Sequence, residues 1–571
     1  MFAEDDRFTD PLRNTTAHPP RIAPWVFPGP WPTGVLLIAL TLSLPLLVIL
    51  GAVLFPVPEV WAHLASTVFG DYITNTLLLM FGVGAGTCLL GVGPAWLTAM
   101  CRFPGRGFFE WALLLPMAMP AYIIGYTYTG LLDFAGPVQT GLRQWFGYDY
   151  GDYWFPEIRS LTGAMLMLSL VLYPYVYLLA RAAFLEQSAC VLEVSHTLGC
   201  NAWGSFARVA LPLARPAVIA GLSLALMETV ADYGTVQYFG VSTFTTGIFR
   251  TWLGLGEPVA AAQLSALLLM FVFLLLSLEV WSRRQAGYHH TSSRYRPLPR
   301  YRLRGWRAFA ALLACGGPVL FGFLLPGAQL LAWALATAER MVDASFVALV
   351  WHSAALALAT ALLALFLALL MGYGRRRYPS LPVRFSVRCA GLGYAIPGTV
   401  VAVGVMLLLG WTDNALAGWL QKYSGISAGL LLSGTMTALV FSYLVRFLAV
   451  SMQTVEAGLG KIGRNMDDAA RSLGLGPLGT LRRVHLPIMR GSLLTAVLLV
   501  FVDVLKELPA TLILRPFNFN TLAVRTYELA NQERLADAST AALAIVLVGV
   551  LPVILLSRSI SRSRPGYDPH P

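Results

Sequence analysis

The sequence predicts an all-α, polytopic membrane protein of about 12 transmembrane helices, arranged as two parallel six-helix repeats. Three observations predict it. Of 571 residues, 57% are hydrophobic and only 12% charged; the mean hydropathy is +0.66; and one polar signature occurs twice, with Glu193 and Asp468 as its 275-residue-spaced starting points. A soluble fold of this size needs more polar surface than such a composition supplies.

Apolar runs of spanning length, about 18 to 25 residues, lie near 33–55, 74–100, 111–131, 161–185, 215–236, 258–281, 306–336, 346–372, 387–411, 426–452, 490–513 and 539–557. The run at 306–336 is long enough to tilt or to include an interfacial part, and the one at 490–513 is interrupted by charges. Basic residues crowd every alternate loop, with Arg102 and Arg106 after the second run, Arg375, Arg376 and Arg377 after the eighth, and Arg464, Arg482 and Arg483 after the tenth. Because loops retained in the cytoplasm carry the Lys/Arg excess, both termini are expected to be cytoplasmic in a multi-pass inner-membrane chain. The formal charge of +11 then has its source in topology, and no nucleic-acid partner is expected. The first thirty residues are polar and Pro-rich, which predicts a retained first anchor in place of a cleaved signal. The six cysteines have no metal-ligand spacing.

A polar, Arg- and Pro-containing stretch at 284–305 divides the chain. The expected organisation is an N-terminal tail over 1–32, a first repeat over 33–283 with a polar loop at 190–213, a basic linker over 284–305, a second repeat over 306–557 with the matching loop at 465–488, and a C-terminal tail over 558–571. Six spans per half keep both halves in one orientation, so the repeat is parallel.

In the duplicated loop, Glu193, Gly199, Leu211 and Pro212 become Asp468, Gly474, Leu486 and Pro487. The acid opens a short helix, the glycine supplies a turn of positive φ, and a second short helix runs to the Leu-Pro pair, where the proline is expected to interrupt it. A short helix held outside the membrane can lodge in a groove of a soluble partner and move as a rigid body. One such loop reads equally well as an amphipathic element on the bilayer; two in identical register favour a docking pair.

After each signature comes a span with ionisable residues at the same offset: Glu228 and Asp232 in the fifth, Asp503 and Glu507 in the eleventh, with Lys506 added. An unpaired charge at a helix centre costs about 2.5 to 3.5 kcal/mol on insertion scales, so these residues need partners or a wet cavity. Asp503 and Lys506, three apart, can pair on one helix face. Glu228, Asp232, Tyr233, Asp503, Lys506 and Glu507 are the candidates for a translocation pathway, with structural pairing as the competing reading.

The two loops resemble the EAA loops of the membrane subunits of binding-protein-dependent ABC importers, with two such subunits fused in one chain. The resemblance implies a type I importer permease fold and assigns ATPase coupling to Glu193, Gly199, Leu211, Pro212, Asp468, Gly474, Leu486 and Pro487. The Glu-Ala-Ala of the family reads Glu193-Val194-Ser195 and Asp468-Ala469-Ala470 here. It further implies a homodimeric ATP-binding subunit on the cytoplasmic face and a periplasmic substrate-binding protein. The chain has no G-x-x-x-x-G-K-[ST] phosphate loop, so ATP and Mg are expected on the partner, with no cofactor and no catalytic residue in this chain. The stretches Glu228 to Gly240 and Lys506 to Pro516 resemble ferric-iron importer permeases, which makes iron(III) the leading cargo, with no static metal site expected. Thiamine, polyamine or phosphonate permeases are the neighbouring alternatives. An ATP-independent secondary transporter with two six-span halves is the reading from another class, although it has no need of the duplicated loop.

Overall fold

The computed structural model describes residues 29–149, 152–187, 197, 199, 201–284, 301–425 and 429–562. Among them, eleven helices are long and apolar enough to cross a membrane, and the bent pair Arg106–Ala118 and Ala121–Phe146, meeting at 91°, makes a twelfth if it is one crossing. Residues 1–28, 285–300 and 563–571, which hold most of the expected tails and linker, lie outside the described residues.

Prolines set the two main departures from straight spans. Pro120 and Pro397 each cap a helix, Ala121–Leu132 and Gly398–Ser424, and each follows a single 3₁₀ turn, Leu115–Ala118 and Gly393–Ala395. The proline ring drives the residue before it out of the helical region; Met119 (ψ 112°) and Ile396 (ψ 129°) are accordingly extended. The third span is therefore bent, and the apolar run at 387–411 is not one helix. It divides between Leu381–Ala390 and Gly398–Ser424.

The prolines of the duplicated signature behave differently from expectation. Pro212 and Pro487 do not interrupt their helices, which run on as Trp203–Ala231 and Pro477–Leu505. In both copies a π turn, Phe206–Ala210 or Leu481–His485, immediately precedes the Leu-Pro pair. The wider turn accommodates a residue that lacks an N–H and whose ring crowds the preceding turn. The two π turns stand 275 residues apart, as do the starts of the short helices Gly234–Tyr238 and Pro509–Leu514 that follow.

The halves interlock. The first span, Pro30–Ala52, packs on Leu381–Ala390 and Gly398–Ser424 of the second half, with the Trp31 indole donating to Leu370 O at 3.0 Å. Reciprocally, the seventh span, Trp306–Met341, lies against the bent third span. Its own π turn, Leu320–Leu324, leaves the Phe321 carbonyl to accept from the Tyr128 hydroxyl at 2.7 Å. A further tie joins Cys101–Arg102 to Tyr301–Arg302 as a two-stranded parallel ribbon, continued by Leu303 N–H to Arg102 O at 3.0 Å.

Close helix approach depends on a few glycines. At Gly221 a Cβ would lie 2.7 Å from Val176 Cα and 2.8 Å from Tyr175 O, both backbone atoms that cannot swing aside. Gly221→Val should therefore separate the fourth and fifth spans and cost about 1–3 kcal/mol, the usual range for overpacking. Thermal unfolding of the purified protein in detergent checks this; an unchanged midpoint would refute the close-approach account.

Candidate functional site

Two places gather the residues that carry chemistry: the loops on the basic face and a cavity between the halves.

On the basic face, Gly199 and Gly474 take φ values of 81° and 79°, the left-handed turn that glycine adopts without steric cost. Glu193 lies outside the described residues. In the second copy the helix Arg464–Ser472 is followed by Gly474, the short helix Pro477–Thr480 and the π turn carrying Leu486 and Pro487 at its end. Asp468 is exposed and pairs with Arg471 three residues on. Its neighbour Asp467, absent from the sequence-based candidates, is what anchors the loop. Arg376, at the end of the eighth span, reaches Asp467 Oδ2 through Nε at 2.9 Å and donates to the carbonyls of Leu459 at 2.7 Å and Ile462 at 2.9 Å. The buried His485 meets the other carboxylate oxygen at 2.5 Å. Burial pushes the Asp467 carboxyl up, and the hydrogen bonds of Arg376 and His485 outweigh it, so the group is held below the usual carboxylate range. Tyr373 closes the junction by donating to Pro477 O at 2.9 Å.

Among the described residues the first copy shows no counterpart of this charged tie. At the positions of Arg376, Asp467 and His485 it has Cys101, Leu192 and Ala210. Phe206 instead packs on Trp96, 5.1 Å between ring centroids, and Trp96 also faces Tyr301 of the parallel ribbon at 6.2 Å. The strand that enters the second half thus reaches the ring cluster under the first loop, whose Trp203 is exposed.

Between the halves lies a cavity of about 120 Å³, walled by Glu228, Asp232, Tyr233, Arg446, Lys506 and Glu507 with Tyr122 and Tyr175. Five of the six pathway candidates thus come together there; Asp503 joins them through Lys506, whose Nζ is 2.8 Å from its Oδ1. The charged residues do not all sit within spans. Asp232 and Lys506 are the residues just past the helices Leu211–Ala231 and Leu486–Leu505, and Asp232 and Glu507 serve the short helices beyond. Asp232 accepts from Thr235 N and Val236 N, both at 3.1 Å, and from Thr235 Oγ1 at 2.9 Å. Glu507 accepts from Ala510 N at 3.1 Å and forms a buried ion pair with Arg446. Each acid thus satisfies the orphan donors of a helix start, where negative charge is favoured.

Arg446 was missed by the sequence reading. An arginine inside the apolar run 426–452 was itself the signal, since an intramembrane charge points to a partner. Gly398 leaves room for the pair: a Cβ there would lie 2.5 Å from Glu507 Oε1 and 2.6 Å from Arg446 Nη1. The Tyr233 ring stacks on Phe249 at 3.7 Å. Among the described residues no group of three or more His, Cys, Asp or Glu gathers as a metal site.

On the opposite face, Arg159 of the first half binds both carboxylate oxygens of Glu533 in the second, at 2.8 and 2.9 Å. Glu533 itself has a φ of 61°. This bridge closes the halves on the side away from the basic loops.

Residues 362–565 match the family model described as binding-protein-dependent transport system inner membrane component. The chain is 27% identical over 537 residues to the Fe(3+)-transport system permease protein FbpB 2 of Haemophilus influenzae, covering 92% of this chain and 97% of that one. It is 24% identical over 506 residues to the ferric transport system permease protein FbpB of Actinobacillus pleuropneumoniae, covering 85% and 70%. The molybdenum transport system permease protein ModB of Escherichia coli is 25% identical over 207 residues, 34% of this chain and 87% of its own.

Truncating Arg446 to Met should leave Glu507 buried and unpaired and destabilise the protein by about 3–5 kcal/mol. Replacing both, Arg446→Met with Glu507→Gln, should recover most of that loss. Denaturation in detergent measures both, and equal destabilisation by the single and double variants would refute the pairing. For the second loop, Arg376→Gln should speed amide exchange over 461–476 without loss of insertion. The Asp467 contribution is complete above the ordinary carboxylate pKa of about 3.9 and is lost as pH falls through its lower folded value. Exchange in the parent protein, corrected for its intrinsic rate, should accordingly quicken as the pH is lowered through the acid range in which Asp467 is protonated.

Proposed function

We propose, from the premise that this chain belongs to the inner membrane components of binding-protein-dependent transport systems, that it is the permease of an ATP-driven importer whose cargo is iron(III). The basic face is cytoplasmic on this reading, with both termini on that side. The duplicated loops are the footholds of two copies of one ATP-binding subunit, which holds the ATP and Mg. The bridged face between Arg159 and Glu533 is the one a periplasmic binding protein approaches, and its opening would admit cargo to the cavity by alternating access.

The observation that carries the iron reading is the cavity itself, in a chain aligned almost end to end with a Fe(3+) permease. Beside Arg446 and Lys506, its polar lining is carboxylate and phenol oxygen, the hard donors that suit a highly charged cation. At about 120 Å³ it holds a few waters or a small hydrated ion, whereas pockets for organic ligands run to about 300–1,000 Å³. An oxyanion cargo would have to compete for bases already salt-bridged to acids, Arg446 to Glu507 and Lys506 to Asp503. Coupling rests on the repeated geometry of Gly199 and Gly474, each followed by a π turn that makes the loop continuous with a spanning helix. Motion of the loop is thereby motion of the helix that ends at the cavity.

Reconstitution in vesicles with the binding protein and ATPase should give ATP-dependent entry of ferric iron, and none of thiamine, polyamine or molybdate. Entry of one of these without iron would overturn the cargo assignment. Gly199→Val with Gly474→Val should lower ATPase association and uptake by about tenfold or more, because a branched residue at positive φ costs roughly 1–2 kcal/mol at each loop. Full ATP-driven uptake in that double variant would refute the coupling role.

A further inference from the structure

The cavity is built on the 275-residue repeat, yet the bases that face it come from only one half. In the second half each acid has a base: Asp503 has Lys506, and Glu507 has Arg446. The corresponding first-half acids are Glu228 and Asp232, and the positions of the bases are taken by Ala231 and Val171, both of which also line the cavity. Asp232 is spent on the start of Gly234–Tyr238, with three hydrogen bonds from Thr235 and Val236. Glu228 is left. Half-buried on the cavity wall, it has neither a hydrogen bond nor an ion pair among the described residues.

A second observation points to the same space. Tyr122, on the cavity wall and only 7% exposed, has a buried hydroxyl with no hydrogen-bond partner among the described residues. A buried hydroxyl without a partner costs about 1–3 kcal/mol, a cost removed when a ligand or its water shell enters.

We infer that Glu228, with the Tyr122 hydroxyl, is the cargo contact of the permease and determines its preference for a small, multiply charged cation, whereas Asp232, Asp503 and Glu507 are structural carboxylates. The inference rests on the iron reading above. A cation entering the cavity meets three carboxylates each bound directly to a base or a helix start, and one, Glu228, bound directly to neither although Lys506 and Arg446 lie within electrostatic reach of it. Glu228 supplies attraction without first having to break an ion pair. A single carboxylate without a direct partner, its field tempered by Lys506 and Arg446, also holds the ion weakly enough to release it, as a transit site requires.

The test uses the complete transporter in vesicles, with binding protein and ATPase, and ferric iron as the probe. Glu228→Gln should lower iron uptake about tenfold or more while binding-protein-stimulated ATP hydrolysis stays within about twofold of the parent, and Glu228→Asp should restore part of the uptake. Tyr122→Phe removes an unpartnered hydroxyl, so it should leave the unfolding midpoint unchanged or raised and still reduce uptake several-fold. Parental uptake in both Glu228→Gln and Tyr122→Phe overturns the inference. Absence of iron uptake in the parent transporter itself overturns the iron reading instead, so the two failures are distinguishable.

Discussion

Everything at the centre of this molecule answers to one constraint: where a helix breaks inside the apolar slab, no water is at hand for its exposed N–H groups. The two halves break their fifth and eleventh spans at matching places, and each break is closed by a carboxylate, Asp232 in one and Glu507 in the other. Once a carboxylate is placed there, its own charge must be met. Glu507 is met by Arg446, and the pair in turn dictates a residue without a side chain at Gly398, where any Cβ would press on both partners. Cavity, break and glycine therefore form one chain of necessity that starts from unpaired backbone.

Backbone symmetry and chemical asymmetry coexist throughout. The π turns, the left-handed glycines and the short helices after the breaks keep a common offset, while the side chains that secure them differ. The second loop is tied by Arg376, Asp467 and His485; the first leans on Trp96, Phe206 and Tyr301. A charged tie is directional and fails when one partner is lost. An aromatic cluster is tolerant of small shifts and derives its strength from buried area. Fusion of the halves in one chain permits this divergence, because each half always meets the same partner.

Composition and the doubled signature were enough to read the class and about how many helices cross, because hydropathy and Lys/Arg placement are properties of short segments. The bends at Pro120 and Pro397 were half visible: the prolines were noted as a recurring pair, but a run of apolar residues looks the same whether or not an extended residue divides it. Pro212 and Pro487 read as helix stops because a proline inside a helix normally breaks it; a π turn, which leaves no mark in composition, reverses that outcome. Of the cavity, the acids were legible as misplaced charges, and Arg446 would have been by the same rule. Which acid pairs with which base was not, since Arg446 and Glu507 meet across 61 residues. Asp413 shows the same limit. It looks like one more acid near a span end, yet it is 1% exposed and accepts from the backbone of Leu431, Leu432 and Ser433.

The interlocking of the first span with the second half has a consequence for biosynthesis. Pro30–Ala52 leaves the ribosome well before the second-half helices it packs on, Leu381–Ala390 and Gly398–Ser424, are made. At roughly 5–20 residues per second, it waits some 15 to 70 s in lipid with Trp31 unable to reach Leu370. Its near-uniform apolarity suits that interval, because a helix that must stand alone in hydrocarbon before its neighbours arrive can carry no charge that those neighbours would later neutralise. The charged, broken helices are those that come late or whose partners are already in place.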